Sequence, residues 1–289
     1  MDINLIIQKL NLETDNYQIE PFKSEEDGSN YEVWKIITDK HTFVLKKAKN
    51  YELSIYNIFL KQLTSSVPHL YKTIKIENDE YVLMEYIEGH TMSKCDLDSL
   101  IKVVDALIKI QKKFWKVSEP DNFMYSFDKT FESRKKRGTY LNDSELAKAY
   151  SKFLEYYEKL PRTLCHDDLL PFNVLINDKA WIIDWEYAGI MPYLTSFTRL
   201  IAHSEEKEDA FFYMKDADKK YIIDYYYEHL AKEKGITYQE YQLALKYFIL
   251  YEYAEWIMLG VKYDNKESLR YQEYFKKAKQ LVKELQYEN

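Results

Sequence analysis

Hydrophobic and polar positions along the chain fall into two regimes. From Met1 to Gly89 the apolar residues come in short runs that suit strands. Tyr31-Glu32-Val33-Trp34-Lys35-Ile36 alternates apolar and polar, a turn follows at Asp39-Lys40, and Thr42-Phe43-Val44-Leu45-Lys46 reads as the returning strand. Ser24 to Asn30 is a polar turn ahead of this pair. Tyr81 to Gly89 is a buried strand running into an extended polar segment. Two helices interrupt the strands. Met1 to Asn16 carries Leu5, Ile6 and Leu10 on a weak apolar face, and Tyr51 to Leu63 carries Ile55, Ile58, Phe59 and Gln62 at three-to-four spacing. From Asp96 the period becomes helical. Leu100, Ile101, Val104, Leu107, Ile108, Gln111 and Trp115 mark one face of a long helix, with Asp96 or Asp98 as its N-cap. Ser144 to Leu160 is a further helix, ending before Pro161. After Gly189 the pattern predicts helices over Lys219–Lys234, Tyr238–Leu259 and Ser268–Leu285.

Between these helical stretches lies Leu164 to Gly189, LCHDDLLPFNVLINDKAWIIDWEYAG, where polar groups able to do chemistry are set among apolar runs. Val174-Leu175-Ile176 and Trp181-Ile182-Ile183 predict two buried strands joined by a turn at Asn177-Asp178-Lys179. A hairpin of this kind brings the loop holding His166, Asp168 and Asn173 to the same end as Asp184. Asn and Asp are turn formers, so any one of these residues alone could be a turn cap. The whole set between two strands suits phosphoryl transfer instead. That reaction needs a carboxylate to orient an attacking hydroxyl and a divalent metal to neutralise phosphate charge. Asn173 and Asp184 supply the oxygen ligands that magnesium prefers, and Asp168 is then free to accept the hydroxyl proton.

The segment resembles the catalytic stretch of the aminoglycoside phosphotransferase and choline kinase superfamily, whose pattern is H-x-D-x-x-x-x-N followed by hydrophobic-D-[WFY]-E. Here it reads His166-Asp167-Asp168-Leu169-Leu170-Pro171-Phe172-Asn173, then Ile183-Asp184-Trp185-Glu186. The resemblance implies a two-lobed α+β protein-kinase-like fold. Residues 1–89 would form a nucleotide-binding lobe of antiparallel sheet plus one helix, and residues 90–289 a larger, mainly helical catalytic and acceptor-binding lobe. It implies that Gly28, Ser29 and Asn30 match the family's G-x-S-N turn over the nucleotide, that Lys46 contacts the α and β phosphates, and that Glu52 is its partner. Lys46 is preferred to Lys47 and Lys49 because it shares a strand face with Val44. Met84 would back the adenine pocket, the backbone of Glu85 and Ile87 would read the adenine edge, and His166 would hold the catalytic loop. Magnesium and ATP or GTP are the implied cofactor and co-substrate.

The implied acceptor is a small hydroxyl compound, an aminoglycoside-like antibiotic first and choline, another amino alcohol or a sugar second. Tyr247, Tyr251, Glu252, Glu255 and Trp256 in the C-terminal region offer carboxylates and aromatic faces to a cationic acceptor; an amphipathic helix wetting its acids is the plainer reading. Arg134-Lys135-Lys136-Arg137 reads as a solvated helix face, with an anionic substrate as the alternative. Two positions depart from the family. Asp167 stands where Gly or Asn is frequent, and Ser196 or Thr198 stands where a further Asp begins the next helix. A nucleotide-binding regulatory protein without turnover is the reading from a different class; the intact Asp168, Asn173 and Asp184 set argues against it.

The bulk numbers narrow the partners. A formal charge of −7 argues against a nucleic acid held through its phosphates. No apolar run approaches the roughly 20 residues of a membrane helix, and the N-terminus lacks the basic and apolar regions of a signal peptide. With two cysteines far apart, Cys95 and Cys165, the expectation is a cytoplasmic protein with reduced thiols.

Overall fold

The structure, a computed structural model, describes residues 3–12, 16–23, 30–49, 51–92, 95–121, 123, 125–208, 210 and 212–287. In chain order the elements are α1 (Ile3–Leu10), β1 (Tyr17–Lys23), β2 (Asn30–Thr38), β3 (Thr42–Lys47), α2 (Glu52–Ile58), β4 (Leu70–Ile76), β5 (Asp79–Glu85) and β6 (His90–Thr91). There follow α3 (Leu97–Lys113), α4 (Phe127–Gly138), α5 (Ser144–Lys159), β7 (Arg162–Cys165), β8 (Val174–Ile176), β9 (Ala180–Ile182), β10 (Gly189–Pro192) and α6 (Leu194–Ala202). The chain ends with β11 (Ser204–Glu205), β12 (Phe212–Tyr213), α7 (Asp216–Tyr226), α8 (Tyr238–Lys262) and α9 (Leu269–Tyr287). Among the described residues no helix is long and apolar enough to cross a membrane. The fold is mixed α+β, with an antiparallel N-terminal sheet and a helical C-terminal part, as the sequence predicts.

The chain divides into two compact units, residues 1–90 with 175–187, and residues 91–174 with 188–289. The sequence reading cut the chain once, after residue 89. The structure cuts it three times, because the β8–β9 hairpin and the turn after it pack with the N-terminal residues.

The first unit is a five-stranded antiparallel sheet in the order β1-β2-β3-β5-β4. Alternation along the strands gives it two distinct faces. Ile36, Leu45, Tyr81 and Leu83 form one core with Ile6, Ile7 and Leu10 of α1. On β3 and β5, Val44 lies opposite Met84 and Lys46 opposite Val82, so these four side chains share the other face. Helix α1 stops at Leu10, short of the expected Asn16, and Asn11 takes a left-handed φ of 46°. Likewise α2 ends at Ile58 and tightens into a 3-10 turn over Leu60–Gln62. The hairpin turn forms where expected. Asn177 Oδ1 accepts from the Lys179 N–H at 3.0 Å, and its amide nitrogen donates to Glu88 O at 2.9 Å. The Ile182 N–H donates to Ser66 O at 2.8 Å, fixing β9 to the unit.

In the second unit the helices start on side-chain caps. Asp96, Ser126 and Asp143 each accept an N–H of the first turn, and Thr237 with Glu240 forms a capping box. Helix α8 buries residues on several sides, from Tyr241 and Leu245 to Tyr251, Ala254 and Met258, so it runs through the core of the unit. Buried Gln111 on α3 ties several elements together. It donates to Tyr193 O at 2.7 Å, and its side-chain oxygen accepts from the Tyr226 hydroxyl at 2.6 Å. The helix expected over Lys219–Lys234 begins at Asp216. After Tyr226 it widens into a π turn and then tightens before Gly235, whose φ is 80°.

Candidate active site

In the first unit, Lys46 leaves β3 on the face shared with Val82 and Met84. Its ammonium donates to Glu52 Oε1 at 2.9 Å and to Asp184 Oδ1 at 2.5 Å. Glu52 opens α2 and is 1% exposed. Burial disfavours the Lys46 charge, but the Glu52 and Asp184 carboxylates outweigh it and hold the ammonium above its ordinary pKa. Burial pushes the Glu52 carboxyl up, against the pull of Lys46. Lys47 points to the opposite sheet face and pairs with Asp79 at 3.0 Å. Asp184 follows β9 with a φ of 64°, a left-handed conformation that costs an ordinary residue energy and that Asp tolerates better than most. Three residues chosen from the sequence, the furthest pair 138 positions apart, therefore meet.

On the same sheet face Met84 is nearly buried, and Ile87 beyond it is also buried. The Glu85 N–H donates to His69 O at 2.8 Å, so that donor is already engaged and does not address a base edge. Gly28 and Ser29 lie outside the described residues, as does the side chain of Asn30.

In the second unit, β7 pairs with β10 and delivers a loop of four polar residues, His166 to Asp168 and Asn173. His166 is fully buried. Its backbone N–H donates to Ser196 Oγ at 2.8 Å, and its Nδ1 accepts from the Asp168 N–H at 3.3 Å. Ser196 thus supplies an acceptor to the loop from the position where the resemblance leads one to expect Asp. A 3-10 turn over Pro171–Asn173 brings Asn173 back, and its amide nitrogen donates to Asp168 O at 2.8 Å and to Asp168 Oδ2 at 3.3 Å. With the nitrogen turned to Asp168, the side-chain oxygen is the end of the Asn173 amide able to offer a lone pair to a cation.

Asp168 has a partner that sequence reasoning missed. Arg199 on α6 donates to Asp168 Oδ1 through Nη2 at 2.9 Å and Nε at 3.2 Å. Its Nη1 donates to Glu252 Oε2 at 2.9 Å and Glu255 Oε2 at 3.2 Å. The signal was available. Arg199 is the sole charged residue of α6, LTSFTRLIA, and an arginine in a buried helix requires anions. These contacts correct the reading of α8. Glu252 is 2% exposed and also lies 3.2 Å from His203 Nε2, while Glu255 takes Arg137 and the Tyr251 hydroxyl. The two acids face arginines and are not presented to a cationic acceptor.

The basic cluster divides. Lys135 and Lys136 are exposed, whereas Arg134 is 2% exposed and donates to Asp167 Oδ1 at 2.6 Å. Its guanidinium also lies 4.6 Å from the Tyr157 ring centre and 5.0 Å from that of Tyr251. The unusual Asp167 therefore has a dedicated counter-ion.

Among the described residues no group of three or more His, Cys, Asp or Glu side chains is arranged to hold a metal ion. Magnesium does not demand such a cage. It binds through one or two protein ligands plus phosphate oxygens and waters, and an Asp carboxylate with an Asn carbonyl fits that chemistry.

Residues 18–226 match the model of the phosphotransferase enzyme family. Protein LicA of Haemophilus influenzae is 26% identical over 137 residues, 44% of this chain and 51% of that protein, so the chain spans about half the length of the curated relatives it matches. The solved choline kinase LicA from Streptococcus pneumoniae superposes with a TM-score of 0.62 at 15% identity, covering 98% of this chain and 99% of that one. An aminoglycoside-3'-phosphotransferase of type VIII superposes with a TM-score of 0.58 at 15% identity, covering 86% and 98%. The chain belongs to the phosphotransferase enzyme family, with the protein-kinase-like fold of the aminoglycoside phosphotransferases and choline kinases.

Proposed function

We propose that the protein transfers the γ-phosphate of ATP or GTP, with magnesium, to a hydroxyl of a small molecule. The observation that carries this reading is the meeting of Lys46, Glu52 and Asp184, since a buried ammonium between two carboxylates is a preset for nucleotide phosphates and their metal. Lys46 steadies the α and β phosphates and Glu52 holds Lys46 in place. Asp184 and the Asn173 side-chain oxygen would hold the magnesium, which would supply positive charge to offset that of the phosphates. Asp168 orients the acceptor hydroxyl and takes its proton, and His166 keeps the loop in shape from its buried position. Met84 and the backbone of Glu85 and Ile87 receive the adenine. We assign the N-terminal unit to the nucleotide and the C-terminal unit to the acceptor.

For the acceptor, aminoglycoside-like antibiotics and choline-like amino alcohols are supported equally, because solved neighbours of both kinds share the fold. The α8 acids support neither, since arginines already occupy them. The deciding experiment measures ADP and GDP release by the purified protein with magnesium, against a panel of aminoglycosides, choline, ethanolamine and sugars. Acceptor-dependent release that disappears in Asp168→Ala is the expected result. Undiminished release in a folded Asp168→Ala protein would overturn the assignment.

A further inference from the structure

We propose that Arg199 positions Asp168, and that Glu252 and Glu255 of α8 act on Asp168 only through it. The inference rests on the reading of Asp168 as the carboxylate that orients the acceptor hydroxyl.

The argument begins with the division of labour around one guanidinium. A planar fork has fixed donor directions, so what it touches on each edge is set by geometry. The Nε and Nη2 edge of Arg199 converges on a single oxygen, Asp168 Oδ1, at 3.2 and 2.9 Å. The remaining nitrogen, Nη1, is spent on Glu252 and Glu255 at 2.9 and 3.2 Å. Two carboxylates would already satisfy a buried arginine. The third, Asp168, is gripped by two donors that meet on Oδ1, which pins that oxygen in place.

Asp168 is thereby held at both ends. Oδ1 faces Arg199, and Oδ2 accepts from Asn173 at 3.3 Å. The carboxylate plane cannot turn without breaking one of these contacts, and Oδ2 keeps a lone pair for an incoming hydroxyl. Phosphoryl transfer asks for an aligned acceptor more than for a strong base, so a fixed carboxylate is the useful one.

The anchor for Arg199 lies on a rigid support. Glu252 and Glu255 are one turn apart on α8, the 25-residue helix that starts at the Thr237 capping box. His203 Nε2 lies 3.2 Å from the same Glu252 Oε2 and 3.4 Å from Arg199 Nη1, and its Nδ1 lies 2.8 Å from the Tyr274 hydroxyl of α9. The orientation of Asp168 is thus set by a relay running from α9 through α8 and α6 to the catalytic loop.

The test uses the full chain carrying Arg199→Gln, Arg199→Lys, Glu252→Gln and Asp168→Asn, singly and in pairs, and the triple variant Arg199→Gln/Glu252→Gln/Asp168→Asn. Initial rates of ADP release are read with Mg-ATP and either choline or kanamycin, and urea unfolding is read for every variant. Arg199→Gln is expected to lower kcat about tenfold to hundredfold, with the KM for Mg-ATP changed by less than about twofold. Arg199→Lys restores most of the stability and little of the rate, because an ammonium cannot grip Asp168 and Glu252 in one plane. In unfolding, Glu252→Gln and Asp168→Asn are coupled by about fivefold in the folding constant when Arg199 is present, and uncoupled when it is Gln. A kcat within about twofold of wild type in Arg199→Gln, while Asp168→Asn is inactive, overturns the proposal and leaves the Asp168 reading standing. Absence of any Arg199–Asp168 coupling in urea overturns it even if neither acceptor is turned over. Full turnover in Asp168→Asn is the different result that removes the underlying reading.

Discussion

Arg134→Met removes the cation that neutralises Asp167 while keeping much of the side-chain volume. Arg134 is 2% exposed and the Asp167 side chain keeps 16% of its surface, so the aspartate left behind is nearly dry. Removing one partner of a buried pair costs about 3–5 kcal/mol, because the other charge stays unpaired. Residual water access to Asp167 and the Tyr125 hydroxyl 3.5 Å from its Oδ2 soften this, which places the loss near the lower end, about 3 kcal/mol. At an m-value of about 3 kcal/mol per molar, that lowers the urea midpoint by about 1 M, followed by far-ultraviolet circular dichroism of this mainly helical unit. The loss should also depend on pH. Burial already raises the Asp167 pKa in the folded protein, and removing Arg134 raises it further. A carboxyl whose folded pKa exceeds its unfolded one binds more protons folded, so stability falls as pH rises through that window. The variant's deficit is therefore largest where Asp167 is ionised and shrinks as the pH drops through its folded pKa. Adding Asp167→Asn to Arg134→Met should recover at least half the loss, since no buried charge remains. A deficit under about 1 kcal/mol at pH 7.5, or one that grows on acidification, would refute the reasoning.

Three further outcomes are expected. Ser196→Ala leaves the His166 N–H buried without its acceptor, and should cost about 1–3 kcal/mol in thermal unfolding, with turnover falling as the loop loosens. Asp184→Asn should keep the fold, since Asn tolerates the 64° φ, yet lose magnesium-dependent nucleotide binding in calorimetric titration. Burial pushes both the Cys95 and the Cys165 thiol up to about 12, so neither should react with a thiol reagent at pH 8 in the native protein; both should react after unfolding in guanidinium.

Much of the architecture was legible because periodicity reports which face of an element is buried. The β2–β3 pair, the buried strand from Tyr81, the Asn177 turn and the C-terminal helices all follow from it. The convergence of Lys46 and Asp184 was legible only through the motif resemblance, as no local pattern links positions 138 apart. Helix limits were read less well where the backbone changed its hydrogen-bonding register, as in the π turn after Tyr226. The arginines were misjudged for a different reason. Periodicity shows that Glu252 or Arg134 lies on a given face, but not what stands opposite, and both find their partners across long stretches of chain. Arg199 and Arg134 answer to residues 31 and 33 positions away, distances at which sequence alone offers no register.

The return of residues 175–187 to the N-terminal unit bears on how the protein is made. A nascent chain released only as far as residue 90 has its five strands but lacks the hairpin donor to Ser66 and the acidic partner that Lys46 finds in Asp184. About 95 more residues must leave the ribosome before that unit can close, roughly 5–19 seconds at about 5–20 residues per second. During that interval Glu52 and Lys46 have only each other, and the sheet face that Lys46 shares with Val44, Val82 and Met84 is a natural client surface for a chaperone. Synthesis of this protein is thus expected to be vertical in an unusual sense, with the first unit begun first and completed only after much of the second has emerged.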